Sequence, residues 1–544
     1  MRVLKNILNT LKPVISLTVV KNIILAFTLL YIDWYFLKYS FLFALGLNHI
    51  AEALALLMKI IFYVMFFYLA NSRWLSLRLS TGIIFAIFFF ADEVFRSITG
   101  SVISIPDMDM ILRTQVLWKD ATIAYLPYIF SLKIIITIGL FLFFYIWYPK
   151  RKEKTEPFIE FFVSLGIITY FIVSIFQFPH DSDEYLEMYM PFVRIPAEIV
   201  LIKNNPIDTT RKELTETPAH KSQIRNIILV IDESVSFSYF HEENPNIDLE
   251  FHEKYKKLIT NFGKAMSSIN CSYGSRSYLR FASSPDSILN KTALSNPTIW
   301  QYAKNAGFSS YLIGYTPINA NMLTKEETKA IDYFEHMSVD VHRPYYEIEL
   351  AKKVKNIIRE NDGHNFIFVA KEGMHFPYEA SYPDDKAVYH PHLKKGESLR
   401  NVAKTRNSYR NALKWSVDSF FDELFKDNEL NLNDTIIIYT SDHGEFINTD
   451  DSTQSLILQP HCSSDNPKIE EYEVPLLVFT ANNFIKNQLT PKRNGFSHFH
   501  ITPTILKLMG YETEQKSLLD ETSEKYPAFY GDPYGRFTPI KVFE

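Results

Sequence analysis

The sequence predicts an N-terminal α-helical transmembrane domain of about five helices, followed by an α/β domain outside the membrane. Three observations carry this. Long runs of Phe, Ile, Leu and Tyr dominate up to about Phe178, whereas from about Asp181 charged, polar and apolar residues mix. In that second part short β-rich runs alternate with helical stretches, the pattern of an α/β layer structure with a largely parallel sheet. Lys and Arg also collect in the short segments between the apolar runs. The mean hydropathy of −0.05 therefore averages two unlike parts.

A helix needs roughly 20 mostly apolar residues to cross the hydrocarbon core. The stretches that qualify are Val14 to Phe36, His49 to Leu69, Leu79 to Phe95, Tyr125 to Tyr148 and Phe158 to Phe178. Lys21 and Asp33 sit inside the first, and Asp92 and Glu93 interrupt the third. Runs such as Ile83 to Ala91 are apolar all round rather than along one stripe, which separates them from surface helices of a water-soluble bundle. Arg2, Lys5 and Lys12, then Arg73 and Arg78, then Lys150, Arg151, Lys152 and Lys154 mark the cytoplasmic side. An odd number of spans then places the rest of the chain outside. No small-residue cleavage site follows the first apolar run, so it reads as a retained anchor.

The expected organisation is residues 1–180 as the membrane domain, 181–224 as linker and 225–544 as the extracytoplasmic domain. Pro206, Thr209, Thr210, Thr215, Thr217 and Pro218 give the linker its polar character. A net charge of −5 with no interleaving of aromatic and basic residues argues against nucleic acid as a partner. Cys271 and Cys462 are the only cysteines, too few for a disulfide scaffold or a cysteine-built zinc ribbon.

Strands are expected at Asn226 to Ile231, Tyr311 to Ile313, Phe366 to Val369, Thr435 to Tyr439 and Pro475 to Phe479, with helices at Thr298 to Asn305, Tyr409 to Phe425 and Ile501 to Leu508. In open parallel sheets ligands gather beyond the carboxyl ends of strands. Here those positions hold Asp232, Glu233, Lys371, His375, Asp442, His443 and Glu445. Two consecutive carboxylates at a strand end need a compensating cation. Asp442 and His443 offer an oxygen and a nitrogen ligand side by side, and Gly444 permits a tight turn.

Ser-Asp-His-Gly-Glu after one buried strand and Asp-Glu-Ser after another resemble the alkaline phosphatase and sulfatase superfamily. Five spans ahead of such a domain narrow the resemblance to the phosphoethanolamine transferases that modify lipid A, core oligosaccharide and related envelope sugars. Further matching segments are Phe376-Pro377-Tyr378 after His375, the stretch from Tyr409 through Asn411 and Asp418, and Ser497-His498-Phe499 before Ile501-Thr502-Pro503-Thr504. The resemblance implies a sulfatase-like α/β fold and a metal-bound Ser or Thr nucleophile at a helix start. In Cys271-Ser272-Tyr273-Gly274-Ser275-Arg276 that role falls to Ser272, which puts Ser275, Arg276 and Leu279 where sulfatases place Ser, Arg and Leu; Ser275 is the alternative.

By the same resemblance Glu233, Asp442, His443 and Ser272 hold a metal. One nitrogen among oxygen donors favours zinc, as one ion or two. Asp232 is expected behind these ligands or as a weaker one, and Arg276 is expected to neutralise phosphate charge. His375 and His461 match histidines that bind the phosphate or a second zinc and act as general acid. His500 departs from the pattern, standing where the superfamily usually has Asp. Cys271 adjoins the nucleophile turn and Cys462 adjoins His461, so a disulfide between them and two separate thiols both remain open.

The implied reaction transfers phosphoethanolamine from phosphatidylethanolamine to lipopolysaccharide or another envelope glycan through a covalent serine intermediate. It places the chain in a bacterial inner membrane with its catalytic domain in the periplasm. A sulfatase-like hydrolase or glycerophosphate transferase is the alternative on the same fold. A catalytically inactive, membrane-tethered binding protein is the alternative of another class.

Overall fold

The computed structural model describes residues 17–32, 61–99, 103, 108, 111, 129–147, 191–204, 210–241, 247–314, 323–336, 342–395, 397, 401–447, 467–489, 495–520, 525–530 and 540–543. The chain divides into two compact units, one of residues 1–109 and 125–206, the other of 110–124 and 207–544.

The N-terminal unit is helical: α1 (Leu17–Ile32), α2 (Ile61–Ala70), α3 (Leu75–Thr99), α4 (Leu132–Ile146) and α5 (Pro191–Asn204). Four of these fall in or overlap the first four expected spans; the fifth, Phe158 to Phe178, lies outside the described residues. Among the described residues one helix, Leu75–Ser97 within α3, is long and apolar enough to cross a membrane. Its core is aromatic, with Phe66 packed on Phe85, Phe141 and Tyr145. Gly82 has to be glycine, because a Cβ there would stand 2.8 Å from the Tyr145 ring.

Lys21, the residue that makes the first span look doubtful, is fully buried and donates to the carbonyls of Ala70 and Tyr145. Arg78 donates to Ile146 O at 2.8 Å and to Ser72 O. The two cations thus satisfy carbonyls left orphaned where α2 and α4 end. Asp92 pairs with Arg194 of α5, and Glu93 with Arg96, so both interrupting acids are compensated as buried charges must be. Helix α5 occupies part of the stretch expected to be linker.

The C-terminal unit is built on eight strands: β1 (Asn226–Asp232), β2 (Ile259–Met266), β3 (Phe308–Gly314), β4 (Tyr333–His336), β5 (His364–Ala370), β6 (Thr435–Ser441), β7 (Glu473–Phe479) and β8 (Phe496–Ser497). Their order is β4-β3-β5-β1-β6-β7-β2-β8, and β7 alone runs against the rest. Strands β1, β5 and β6 are apolar on both faces, which is why they read as continuous runs. Ile228, Val230, Ile367, Val369 and Ile437 pack one face against helices at Tyr346–Glu360 and Val402–Leu424. Ile227, Leu229, Phe366, Phe368 and Ile436 pack the other against helices at Ile299–Asn305 and Ile501–Leu508. A three-layer α/β/α arrangement results.

Residues 210–224 of the expected linker are docked on this unit. Arg211 donates to Leu294 O and Asn296 O and stacks on Phe281, and Ala219 N donates to Gly510 O. The register pairs Ile231 with Ala370 and Asp232 with Ser441. Three central strands therefore end level, and the residues just beyond them share one edge.

Candidate functional site

Asp232 and Glu233 follow each other at the end of an extended strand, so their side chains leave on opposite faces. Glu233 turns toward Ser272, His443 and Arg276. Asp232 turns away: its Oδ2 accepts from Tyr439 at 2.8 Å and pairs with Lys371, and its Oδ1 accepts the Glu233 N–H at 3.0 Å. It orients the strand end rather than joining the ligand group. Ser234 takes the left-handed conformation, φ 54°, which is uncommon for a non-glycine residue. That turn lets its N–H donate to Asp442 Oδ1 and its hydroxyl to Glu233 Oε1.

Beyond β6, His443 donates from Nδ1 to Gly444 O at 2.7 Å. In its neutral form the ring then presents the Nε2 lone pair to the site, as a metal-binding histidine does. Gly444 is needed for close packing, since a Cβ would meet Glu470 O at 2.1 Å; its φ is not in the positive range. Its N–H donates to Glu471 O, and Glu471 Oε2 accepts from Asn270 at 2.7 Å. This ties the His443 turn to the residue just before the Cys271 turn.

Ser272 opens helix α6 (Ser272–Arg280), with Cys271 as its N-cap. Its Oγ lies 3.1 Å from Glu233 Oε1 and 3.0 Å from His443 Nε2. Ser275, the alternative, is fully buried and donates to His498 Nδ1 at 3.0 Å. That acceptor role is fixed because His498 Nε2 donates to Ser441 O, and burial pushes the ring down to about 3. Thus Ser272 faces the carboxylates, whereas Ser275 ties α6 to His498.

Arg276 donates to Glu233 Oε2 at 2.7 Å, Asp442 Oδ2 at 2.9 Å and Lys371 O at 3.2 Å, a clamp on two carboxylates. His375 is half-buried and donates from Nδ1 to Phe376 O at 2.7 Å. His500 is buried, its Nδ1 accepting the Ser497 N–H at 3.0 Å, and caps its own turn. Cys271 is disulfide-bonded. The sequence offers one other cysteine, Cys462, which with His461 lies outside the described residues.

Ligand atoms of Glu233, Asp442 and His443 all lie within 4.8 Å of one another, and all three residues are buried. Donors around a tetrahedral zinc with bonds of about 2.0–2.2 Å stand roughly 3.3–3.6 Å apart. His443 Nε2 is 3.6 Å from Glu233 Oε1 and 3.9 Å from Asp442 Oδ1, and the Ser272 hydroxyl supplies a fourth donor. The set fits a zinc-sized cation.

Electrostatics agree. Burial lowers the affinity of the His443 ring for a proton, but the charges of Asp442 and Glu233 overcome this and push it up to about 9. Burial also works against Glu233 ionising, yet Arg276 and then His443 hold its carboxyl well below the usual range. Burial pushes Glu445, whose Oε2 accepts from Tyr378 at 3.1 Å, up to about 8. The pocket favours positive charge beside the serine hydroxyl. The Arg276 clamp and the Asn270–Glu471 tie escape sequence reading because each joins distant segments with no local motif.

A family profile described as Sulfatase matches residues 225–511, more than half of the 544-residue chain. The integral membrane protein lipooligosaccharide phosphoethanolamine transferase A (EptA) from Neisseria meningitidis is similar in structure at 17% identity and a TM-score of 0.58, over 90% of this chain and 95% of that one. The C-terminal periplasmic domain of EcEptC from Escherichia coli, in complex with Zn, matches at 18% identity and a TM-score of 0.48, over 60% of this chain and 96% of that one. No curated protein sequence matches the chain. With its three level strand ends, its carboxylate–imidazole–serine cluster and a profile match across the whole sheet, the chain belongs to the sulfatase family.

Proposed function

We propose that this chain is a membrane-anchored, metal-dependent transferase that moves phosphoethanolamine from phosphatidylethanolamine to lipopolysaccharide or another envelope glycan. The observation that carries the reading is the Ser272 hydroxyl, at a helix start and within 3.1 Å of both a carboxylate and an imidazole of the candidate metal group. The likeness of fold to a full-length membrane enzyme supports it. So does the helical unit ahead of the family domain, because a lipid donor calls for a membrane-held enzyme. In this reading residues 1–180 anchor the chain in several passes, 181–224 connect and 225–544 catalyse in the periplasm of an inner membrane.

Glu233, Asp442, His443 and Ser272 would hold one zinc, with a second ion near His375 and His461. Zinc bound there supplies a lowered serine pKa and charge neutralisation at the phosphoryl oxygens. Glu233 Oε1, 3.1 Å from Ser272 Oγ, would take its proton. Backbone N–H groups at the start of α6 face the phosphate. Ser272 Oγ attacks phosphorus, the bond from phosphorus to the diacylglycerol oxygen breaks, and a protonated His375 or His461 returns a proton to that oxygen. An acceptor hydroxyl or phosphate then attacks the phosphoserine, any proton it carries passing to the histidine that gave one up; the phosphorus–Oγ bond breaks and the proton held by Glu233 returns to Ser272. Mass spectrometry of envelope glycolipids and glycans from cells with and without the protein tests this. A phosphoethanolamine increment that appears only with the protein is expected; released phosphoethanolamine with no modified glycan would assign a hydrolase instead.

A further inference from the structure

Away from the Ser272 cluster, the loop between β5 and the helix at Val402–Leu424 carries the sequence His390-Pro391-His392. It is gripped by that helix. Asn411 accepts the N–H groups of Val388 and Tyr389, each at 2.8 Å, and donates to Tyr389 O. Asn407 donates to Pro391 O, and Ser408 accepts from Leu393 N. The two imidazoles are thus held before any ligand arrives.

Their ring nitrogens are assigned by their partners. His390 Nε2 faces the Ala387 carbonyl at 3.1 Å, and His392 Nε2 faces Asp384 Oδ1 at 2.9 Å. A carbonyl accepts only, and so does this carboxylate: Lys394 donates to both its oxygens at 2.8 and 3.0 Å, and that bond and the one from His392 hold its pKa down to about 2. Lys394 Nζ lies 3.2 Å from His392 Nε2, farther than the carboxylate, so the ring hydrogen belongs to Asp384. Both Nε2 atoms therefore carry hydrogen, and in neutral rings both Nδ1 atoms carry lone pairs.

Those two Nδ1 atoms stand 3.1 Å apart. Two facing lone pairs at that distance repel unless a cation lies between them. The separation is close to the roughly 3.3 Å edge of a tetrahedral zinc site. Imidazoles whose far N–H donates to a carboxylate or carbonyl are the usual form of metal-ligating histidine. His392 is buried whereas His390 is exposed, so water can complete the coordination.

We propose that His390 and His392, through their Nδ1 atoms, bind a divalent transition-metal ion of the zinc type at a site separate from Glu233, Asp442 and His443. The loop carries His375 and Tyr378 near its start and this pair near its end, so the ion would pin the far end of a segment that leaves the candidate active site.

The test is zinc binding by the full-length protein in detergent, stripped with chelator and titrated with zinc alone. His390→Ala/His392→Ala is expected to hold one zinc equivalent fewer than wild type, and Asp384→Asn to weaken that equivalent about tenfold or more. Asp442→Ala should keep it, which separates this proposal from the one for the catalytic metal. Zinc should also protect His390 and His392 of the wild-type protein from diethyl pyrocarbonate, a readout independent of how the variants fold. Identical zinc titrations in the double variant and wild type, or unchanged labelling with zinc present, would overturn the site and leave a shared proton between the rings.

Discussion

Lys371→Met tests the buried charge network that sets the direction of Glu233. Lys371 and Asp232 are both fully buried. The ammonium pairs with Asp232, donates to Ser416 Oγ at 3.1 Å and lies 3.5 Å from Glu347 Oε2. Removing it strands two carboxylates without a cation, and breaking a buried pair from one side costs about 3–5 kcal/mol. Lys371→Met/Asp232→Asn removes both charges and should recover most of that loss. Burial pushes Glu347 up to about 7 even though Lys371 opposes the shift. A carboxyl raised in the folded state contributes stability below its unfolded pKa, about 4.5, and loses it as pH rises through about 7. Wild-type stability should therefore decline across that interval, and Glu347→Gln should flatten the decline. In Lys371→Met the decline should extend to higher pH. Denaturant unfolding in detergent, followed by tryptophan fluorescence between pH 4 and 9, reads both effects. A Lys371→Met variant within about 1 kcal/mol of wild type would refute the reasoning.

Asp442→Asn and His443→Ala should each lose bound metal and turnover together; full activity in thoroughly metal-stripped protein would contradict the metal's role. Lys21→Met should destabilise the N-terminal unit by about 1–3 kcal/mol, the cost of leaving buried carbonyls at Ala70 and Tyr145 without a donor. An unchanged melting temperature in detergent would show that those carbonyls find other partners. Alkylation without reductant, followed by intact-mass measurement, should label no thiol, because Cys271 is bridged and Cys462 is its one possible partner within the chain. Two labelled thiols would refute that pairing.

Strands β1, β5 and β6 are legible because both of their faces are buried, which makes each an unbroken apolar run with its functional residues just beyond. Strand β2 is not: Asn261, Gly263 and Lys264 break its pattern around an irregularity in pairing. Nor is the direction of β7, which depends on pairing with β6 and β2 rather than on its own residues. The opposite facing of Asp232 and Glu233 was available from strand periodicity alone. The serine question needed coordinates, because it turns on where α6 begins: one residue places Ser272 beside Glu233, and three more place Ser275 against His498. Lys21 and Asp92 looked like flaws in membrane helices because their compensating carbonyls and cation come from other helices, whereas Glu93 pairs with Arg96 one turn along its own helix and with Lys133 of α4.

The most direct test of the central claim is peptide mapping of the adduct trapped when purified full-length protein, loaded with zinc, meets phosphatidylethanolamine labelled in its headgroup. Diacylglycerol should be released and the label should sit on Ser272. Ser272→Ala should form no adduct, a loss of several powers of ten in rate. Ser275→Ala should lose only the support of one neutral hydrogen bond, about 1 kcal/mol. Label on Ser275, or an undiminished adduct in Ser272→Ala, would contradict the assignment of the nucleophile, and no adduct on any residue would contradict the covalent mechanism itself.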